Sequence, residues 1–455
     1  MIASTAMIAA FAGAPAMALA PPVVDPGALV KPAPAGPTEP TEQRSLCTRW
    51  MSTGRQVITK PTAAQSMMDL DGAWRFSRGA GQRVAVIDTG VTPSPRLGRV
   101  IGGGDYVSAG NGLVDCDAHG TAVASIIAAR PAPGDAFVGV APEASLISIR
   151  QSSASYSAKN PRRNEENPEP GVGPGYGSVR TLAHAVVRAV ELGATVINIS
   201  EVACGAAGRR IDDRALGAAV KYAFDHDVVV VAAAGNLDGE SACRTQNPEP
   251  QPADGGWASL ATIASPAWFS RYVLTVGAVD AGSGAPSTFS LHGPWMGVAG
   301  PGTEIVGLDS RPGSTRLVDA EPTQGAPNPL HGTSFAAAYV SGTVALVRAR
   351  FPQSGASEVI DRITRTAHGP GTGRDNQIGY GVIDPVAALT ADLSGTRPAP
   401  VVAEPIAAPA PDPTPDHTAR DVAVAGGLGA LALVAVVLGI SLPHRRVRRL
   451  NPDEY

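Results

Sequence analysis

A chain of 455 residues is long enough for a large buried core and for two or three structural units. Its 36 Lys plus Arg against 40 Asp plus Glu leave a formal charge of −4, and no long basic run precedes the last dozen residues, which argues against a nucleic acid partner. Four cysteines without a Cys-x-x-Cys pair argue against a zinc ribbon or a thioredoxin-like motif.

Residues 1–20 are apolar and end Ala18-Leu19-Ala20, a small-x-small cleavage pattern. They read as a secretory signal peptide, although the basic first region is missing; an Ala-rich leader without structure is the alternative. Residues 21–82 form an N-terminal extension, proline- and alanine-rich to Thr41 and then carrying Trp50 and Trp74 among apolar residues fit to pack onto a larger body. From Arg83 the pattern changes. Branched apolar runs predict buried strands over Arg83–Asp88, Ala144–Ile149, Thr195–Ile199, Val228–Ala233 and Val273–Val279. Between and after them, helices are predicted over His119–Arg130, Val179–Leu192, Asp212–His226 (capped by Asp212 or Asp213) and Phe335 to about Arg350, where Pro352 stops the last one. Continuously apolar strands alternating with helices predict an α/β domain over 83–393, a parallel sheet with helices on both faces. Such sheets gather their sites at the carboxyl ends of the strands.

Two stretches break the alternation: Gln151–Gly177 and Leu237–Ser265, both polar and long for loops in a compact domain. Long loops of that kind carry function or lack structure, and these are read as insertions at the rim of the site. Residues 394–420 are a proline-alanine linker. Residues 421–442 follow as a transmembrane helix: Val422–Leu442 carries no charge, and at about 1.5 Å per residue it crosses a hydrocarbon core of roughly 30 Å. Arg445, Arg446, Arg448 and Arg449 lie in the tail 443–455, so the positive-inside rule puts the tail in the cytoplasm and the large domain outside the cell membrane.

Four polar residues sit where predicted elements end or begin. Asp88 ends the first strand, His119 opens a helix, Asn236 follows Ala-Ala-Ala-Gly, and Ser334 opens the last long helix after Gly332-Thr333. Each alone has an ordinary explanation: a turn aspartate, a structural histidine, a turn asparagine, an N-cap serine. Together they supply four distinct roles. A serine hydroxyl needs a base at neutral pH, the base needs a carboxylate to fix its tautomer, and the tetrahedral oxyanion needs preorganised donors. The order Asp…His…Ser is one of the chain orders known for such triads.

The blocks Val-Ile-Asp-Thr-Gly-Val (86–91), His-Gly-Thr-Ala-Val-Ala (119–124), Ala-Ala-Gly-Asn (233–236) and Gly-Thr-Ser-Phe-Ala-Ala (332–337) resemble the signatures of subtilisin-like serine proteases. That resemblance implies a subtilisin-like fold, Asp88, His119 and Ser334 as the triad, and Asn236 as the side-chain oxyanion donor; the sequence motifs lead to no expectation of a cofactor or metal. The whole organisation of leader, Cys-bearing extension, protease domain with two insertions, linker, membrane helix and basic tail resembles the mycosins, membrane-anchored proteases of type VII secretion. It implies protein substrates exported by that system, membrane components of the secretion complex as partners, and disulfides Cys47–Cys116 and Cys204–Cys243. A bond from Cys47 to Cys116 would fasten the extension beside His119 as a retained wrap. A structural role in stabilising the secretion complex, with proteolysis secondary, is the alternative.

Two features depart from the subtilisin pattern. After Asn198-Ile199-Ser200 comes Glu201-Val202-Ala203-Cys204, where a small or apolar residue and a glycine ordinarily line the substrate cleft. Ala337-Ala338 replace the usual small residue and proline. Cys116-Asp117-Ala118-His119 is only half a metal site, and Gly102-Gly103-Gly104 is read as a flexible turn rather than a nucleotide loop.

Overall fold

The computed structural model describes residues 19–54, 59–160, 170–209, 211–237, 243–248, 255–371, 373–394 and 418–447, the side chains of the last segment only to Ser441. Most of the expected signal peptide, of the linker and of the basic tail lie outside the described residues. The chain divides into two units, one up to Val401 and one from Val402.

Seven parallel strands form the central sheet of the first unit: β1 (Arg83–Asp88), β2 (Val100–Asp105), β3 (Ser145–Arg150), β4 (Val196–Ile199), β5 (Val229–Ala233), β6 (Val273–Val279) and β7 (Met296–Pro301). Their spatial order is β7-β6-β5-β4-β1-β3-β2, so the chain reverses its direction of growth around β1. Period-2 alternation divides the strand residues between two cores. Val84, Val86, Leu146, Val196, Val229 and Val231 face one side, where α1 (His119–Ala128) and α4 (Thr333–Arg350) pack. Ala85, Ile87, Ile147, Ile149, Ile197 and Val230 face the other, under α2 (Val179–Glu191) and α3 (Arg214–Asp225). Because both faces are covered, the strands read as unbroken apolar runs.

Helix α4 is buried on every side from Thr333 to Arg348, which explains its small-residue sequence: alanines and a glycine let it lie close to the sheet. It is followed by α5 (Ala356–Thr366) and α6 (Pro385–Thr390). The extension contributes Trp50, Ala64, Met68, Leu70 and Ala73 to the same core as α4, and its residues Val24, Leu29 and Val30 pack at the margin of the opposite core. In the second unit, α7 (Thr418–Val447) contains a stretch, Thr418–Ser441, long and apolar enough to cross a membrane.

Two local expectations are corrected. Gly102–Gly104 is not a turn but the middle of edge strand β2, paired with Ser148 and Ile149 through backbone bonds that need no side chain. A Cβ on Gly103 would stand 2.7 Å from the Ile149 side chain, so glycine leaves room for the core isoleucine to pack over the strand. Asp213 occupies the cap position of α3 but makes no capping bond; its carboxylate instead accepts from Trp268 Nε1 at 2.8 Å.

Candidate active site

The carboxyl ends of β1, β3, β4 and β5 and the start of α4 surround a cavity of about 480 Å³, whose lining includes His119, Ser334, Asn236, Ser200 and Glu201. Asp88 lies just behind it, fully buried as the last residue of β1.

Asp88 Oδ1 accepts from His119 Nδ1 at 2.7 Å, and His119 Nε2 lies 2.9 Å from Ser334 Oγ. Nδ1 must carry its proton to meet the carboxylate, which leaves Nε2 of the neutral ring to accept from the serine hydroxyl. The same Asp88 oxygen accepts from Thr89 N–H at 2.7 Å, so the carboxylate cannot swing away from the ring. The three residues expected to work together are thus in one hydrogen-bonded row.

Ser334 is the second residue of α4, not its cap. The cap position belongs to Gly332, and Ser334 sits within the first turn, where free N–H groups and the positive end of the helix dipole gather. Asn236 is locked by its carbonyl: Oδ1 accepts from Thr333 N–H at 3.0 Å and from Thr333 Oγ1 at 2.9 Å. A backbone N–H can only donate, so the other end of that amide is the NH2. A Cβ placed on Gly332 would stand 3.3 Å from both Asn236 Nδ2 and Ser334 Oγ. Glycine therefore keeps open the space between the serine oxygen and the asparagine NH2.

The electrostatics favour the ionised pair. Burial pushes Asp88 upward, but the charge and hydrogen bond of His119, with help from Thr89 and Ser200, hold it below its ordinary 3.8. Burial pulls His119 down, yet the Asp88 charge and bond, joined by Glu201 and Asp115, raise it to about 9.

Several supporting residues carried no signal in the periodicity of the sequence. Asp115 Oδ2 accepts from Thr121 N–H at 2.8 Å and from Thr121 Oγ1 at 2.6 Å, serving the first turn of α1, whose cap residue Ala118 makes no side-chain bond and is left-handed at φ 67°. Asp115 also lies 2.9 Å from Thr89 Oγ1, which in turn accepts from Gly120 N–H at 3.0 Å. Burial pushes this acid up to about 6. Gly120 packs so tightly that an added Cβ would meet Gly90 O at 2.1 Å and Asp88 Oδ1 at 3.0 Å, the steric reason for glycine after the histidine. Ser341 Oγ donates to Asn198 Oδ1 at 2.8 Å, and Asn198 Nδ2 donates to Ser200 at 3.0 Å, tying α4 to the end of β4. Proximity to the signature blocks was the only available pointer to these residues.

The extension reaches the site. Cys47 is bonded to Cys116, three residues before His119, and Thr48 N–H donates to Cys116 O at 2.8 Å. Trp50 then stands edge-on to His119, with ring centres 6.2 Å apart and planes at 83°, and makes a second edge contact with Phe335. The other disulfide joins Cys204 to Cys243, and Cys243 lines the cavity beside Gly235. The described parts of both long loops border the cavity too, through Ser152, Val172, Gly173 and Pro174 in one and Cys243 in the other. Among the described residues no group of three or more His, Cys, Asp or Glu side chains is placed to hold a metal ion.

The family model described as the subtilase family matches residues 79–381. Mycosin-1 of Mycolicibacterium smegmatis is 45% identical, over 97% of this chain and 97% of that protein. A solved structure of MycP1, a serine protease described as an essential component of the type VII (ESX-1) secretion system, is 47% identical with a TM-score of 0.76, covering 82% of this chain and all of that one. A chain in the structure of an intact ESX-5 inner membrane complex is 44% identical with a TM-score of 0.77, covering 93% of this chain and all of that one. This chain belongs to the subtilase family of serine endopeptidases and, within it, to the mycosins.

Proposed function

We propose that this protein is a membrane-anchored endopeptidase of type VII secretion that processes exported proteins through an Asp88–His119–Ser334 triad. The observation that carries the reading is the unbroken row from a buried carboxylate through both ring nitrogens to a serine hydroxyl at a helix start. Ser334 Oγ attacks the scissile carbonyl carbon while His119 Nε2 takes the hydroxyl proton. Asp88 holds the ring in its tautomer and stabilises the imidazolium that forms. The carbonyl oxygen becomes an oxyanion, received by Asn236 Nδ2 and the Ser334 N–H. His119 returns the proton to the leaving amine, and water then cleaves the acyl-serine by the same steps reversed.

Topology is part of the same proposal. Residues 1–20 act as an export signal, 21–82 remain as a wrap around the domain 83–393, 394–420 link it to a membrane helix at 421–442, and 443–455 face the cytoplasm. The apolar Thr418–Ser441 stretch and the likeness to a chain of an inner membrane complex support it. The partners are exported protein substrates and the membrane components of the secretion complex.

A second reading, structural support of that complex, is favoured by one observation: the likeness to the ESX-5 complex chain extends over 93% of this sequence. Wild type, Ser334→Ala and a deletion separate the two when each is assayed for substrate cleavage and for complex assembly. Loss of cleavage with assembly intact in Ser334→Ala, and loss of both in the deletion, gives the protein both roles. Cleavage surviving in Ser334→Ala refutes the triad.

A further inference from the structure

The cavity around Ser334 has an electrical imbalance that the triad does not use. Among the described residues its lining includes Asp117, Glu201 and Glu321 but neither lysine nor arginine, and His119 there is already committed to Asp88. Asp117 is spoken for as well: Ser153 Oγ donates to it at 2.5 Å, and Ser155 donates through N–H and Oγ. Glu201 differs. Its Oε1 accepts from Ser152 Oγ at 2.5 Å, while its Oε2 lies over Gly173, where a Cβ would stand 3.1 Å away. Glycine at 173 places no side chain of its own over that oxygen. Glu201 also follows Ser200 at the carboxyl end of β4, the strand next to β1, and so sits on the wall beside Asp88.

We infer that Glu201 is a specificity-determining residue, and that its carboxylate pairs with a lysine or arginine side chain of the substrate close to the scissile bond. The inference rests on the proposed function and names the substrate class of that same cavity. A carboxylate in a confined site gains most from a partner that is charged and donates hydrogen bonds, and a neutral isostere leaves it unpaired. The surroundings agree: burial and the Asp88 charge push Glu201 up to about 8, against the pull of Ser152 and His119, so near neutral pH it ionises fully only beside an added cation. An arriving ammonium or guanidinium supplies that cation.

The test is a set of fluorogenic peptides that carry either lysine or norleucine at each residue before the scissile bond in turn, cleaved by the full-length protein and by Glu201→Gln. The readout is the ratio of kcat/KM for lysine over norleucine within each protein. Wild type favours lysine at one position by about tenfold or more, and the ratio falls to near unity in Glu201→Gln. No lysine preference at any position in wild type overturns the proposal, whatever the variant does. A preference that persists in Glu201→Gln overturns it too. Wild type that cleaves no peptide and takes up no serine-directed phosphonate defeats the protease reading instead, so the two failures are distinguishable.

Discussion

At the scale of single residues, the proposed chemistry depends on a few atoms whose freedom is removed by neighbours that do no chemistry. Asn236 is held by Thr333 at one end, so its other end is aimed. Asn236→Ala is expected to lower kcat by about 10²–10³ with a smaller change in KM, the loss measured when the equivalent donor is removed from subtilisin. Steady-state kinetics on one peptide checks this; an unchanged kcat rejects Asn236 as oxyanion donor. Gly332→Ala adds a methyl 3.3 Å from both Ser334 Oγ and Asn236 Nδ2, so turnover should collapse while the circular dichroism spectrum is retained. The proposed base sets the pH dependence. His119 must be neutral to take the serine proton, and its pKa is raised to about 9, so kcat/KM should climb with pH through neutrality towards about 9. Replacing Glu201 by Gln removes one negative charge facing His119, which lowers the histidine pKa and moves that limb to lower pH. A limb already complete near pH 5 contradicts the assignment.

At the scale of elements, the disulfide from Cys47 to Cys116 spans 69 residues and pins the extension next to the turn before His119. Removing it as a pair of serines should cost about 2–4 kcal/mol of stability, read as a lower thermal midpoint. It should also lower kcat, because Trp50, which walls one edge of His119, is reached only three residues beyond Cys47. An unchanged midpoint and unchanged turnover would make the crosslink ornamental. This level also shows what the sequence reveals and what it hides. Strands β1 and β3 to β6 were legible because burial on both faces demands unbroken branched residues, and the four candidate site residues because they stand where predicted elements end or begin. Strand β2 was hidden because its Gly102–Gly104 run pairs through the backbone alone, with an isoleucine filling the space a side chain would take. Asp115 and Trp50 were hidden because their roles arise from approach in space: no period or spacing links residue 50 to residue 119.

At the scale of the whole molecule, the candidate active site and the apolar Thr418–Ser441 stretch fall in separate units, one up to Val401 and one from Val402. The proposed topology requires Thr418–Ser441 to hold the protein in the bilayer. Full-length protein should resist alkaline carbonate extraction, and protein ending at Leu393 should be released; retention of the shortened form would assign the attachment to the first unit. The central claim concerns Ser334. Full-length protein treated with a serine-directed phosphonate, digested and mapped by mass spectrometry tests it most directly. The account predicts a single adduct on Ser334, absent after heat denaturation and lost in His119→Ala. No adduct, or an adduct on another serine with Ser334 unmodified, contradicts it.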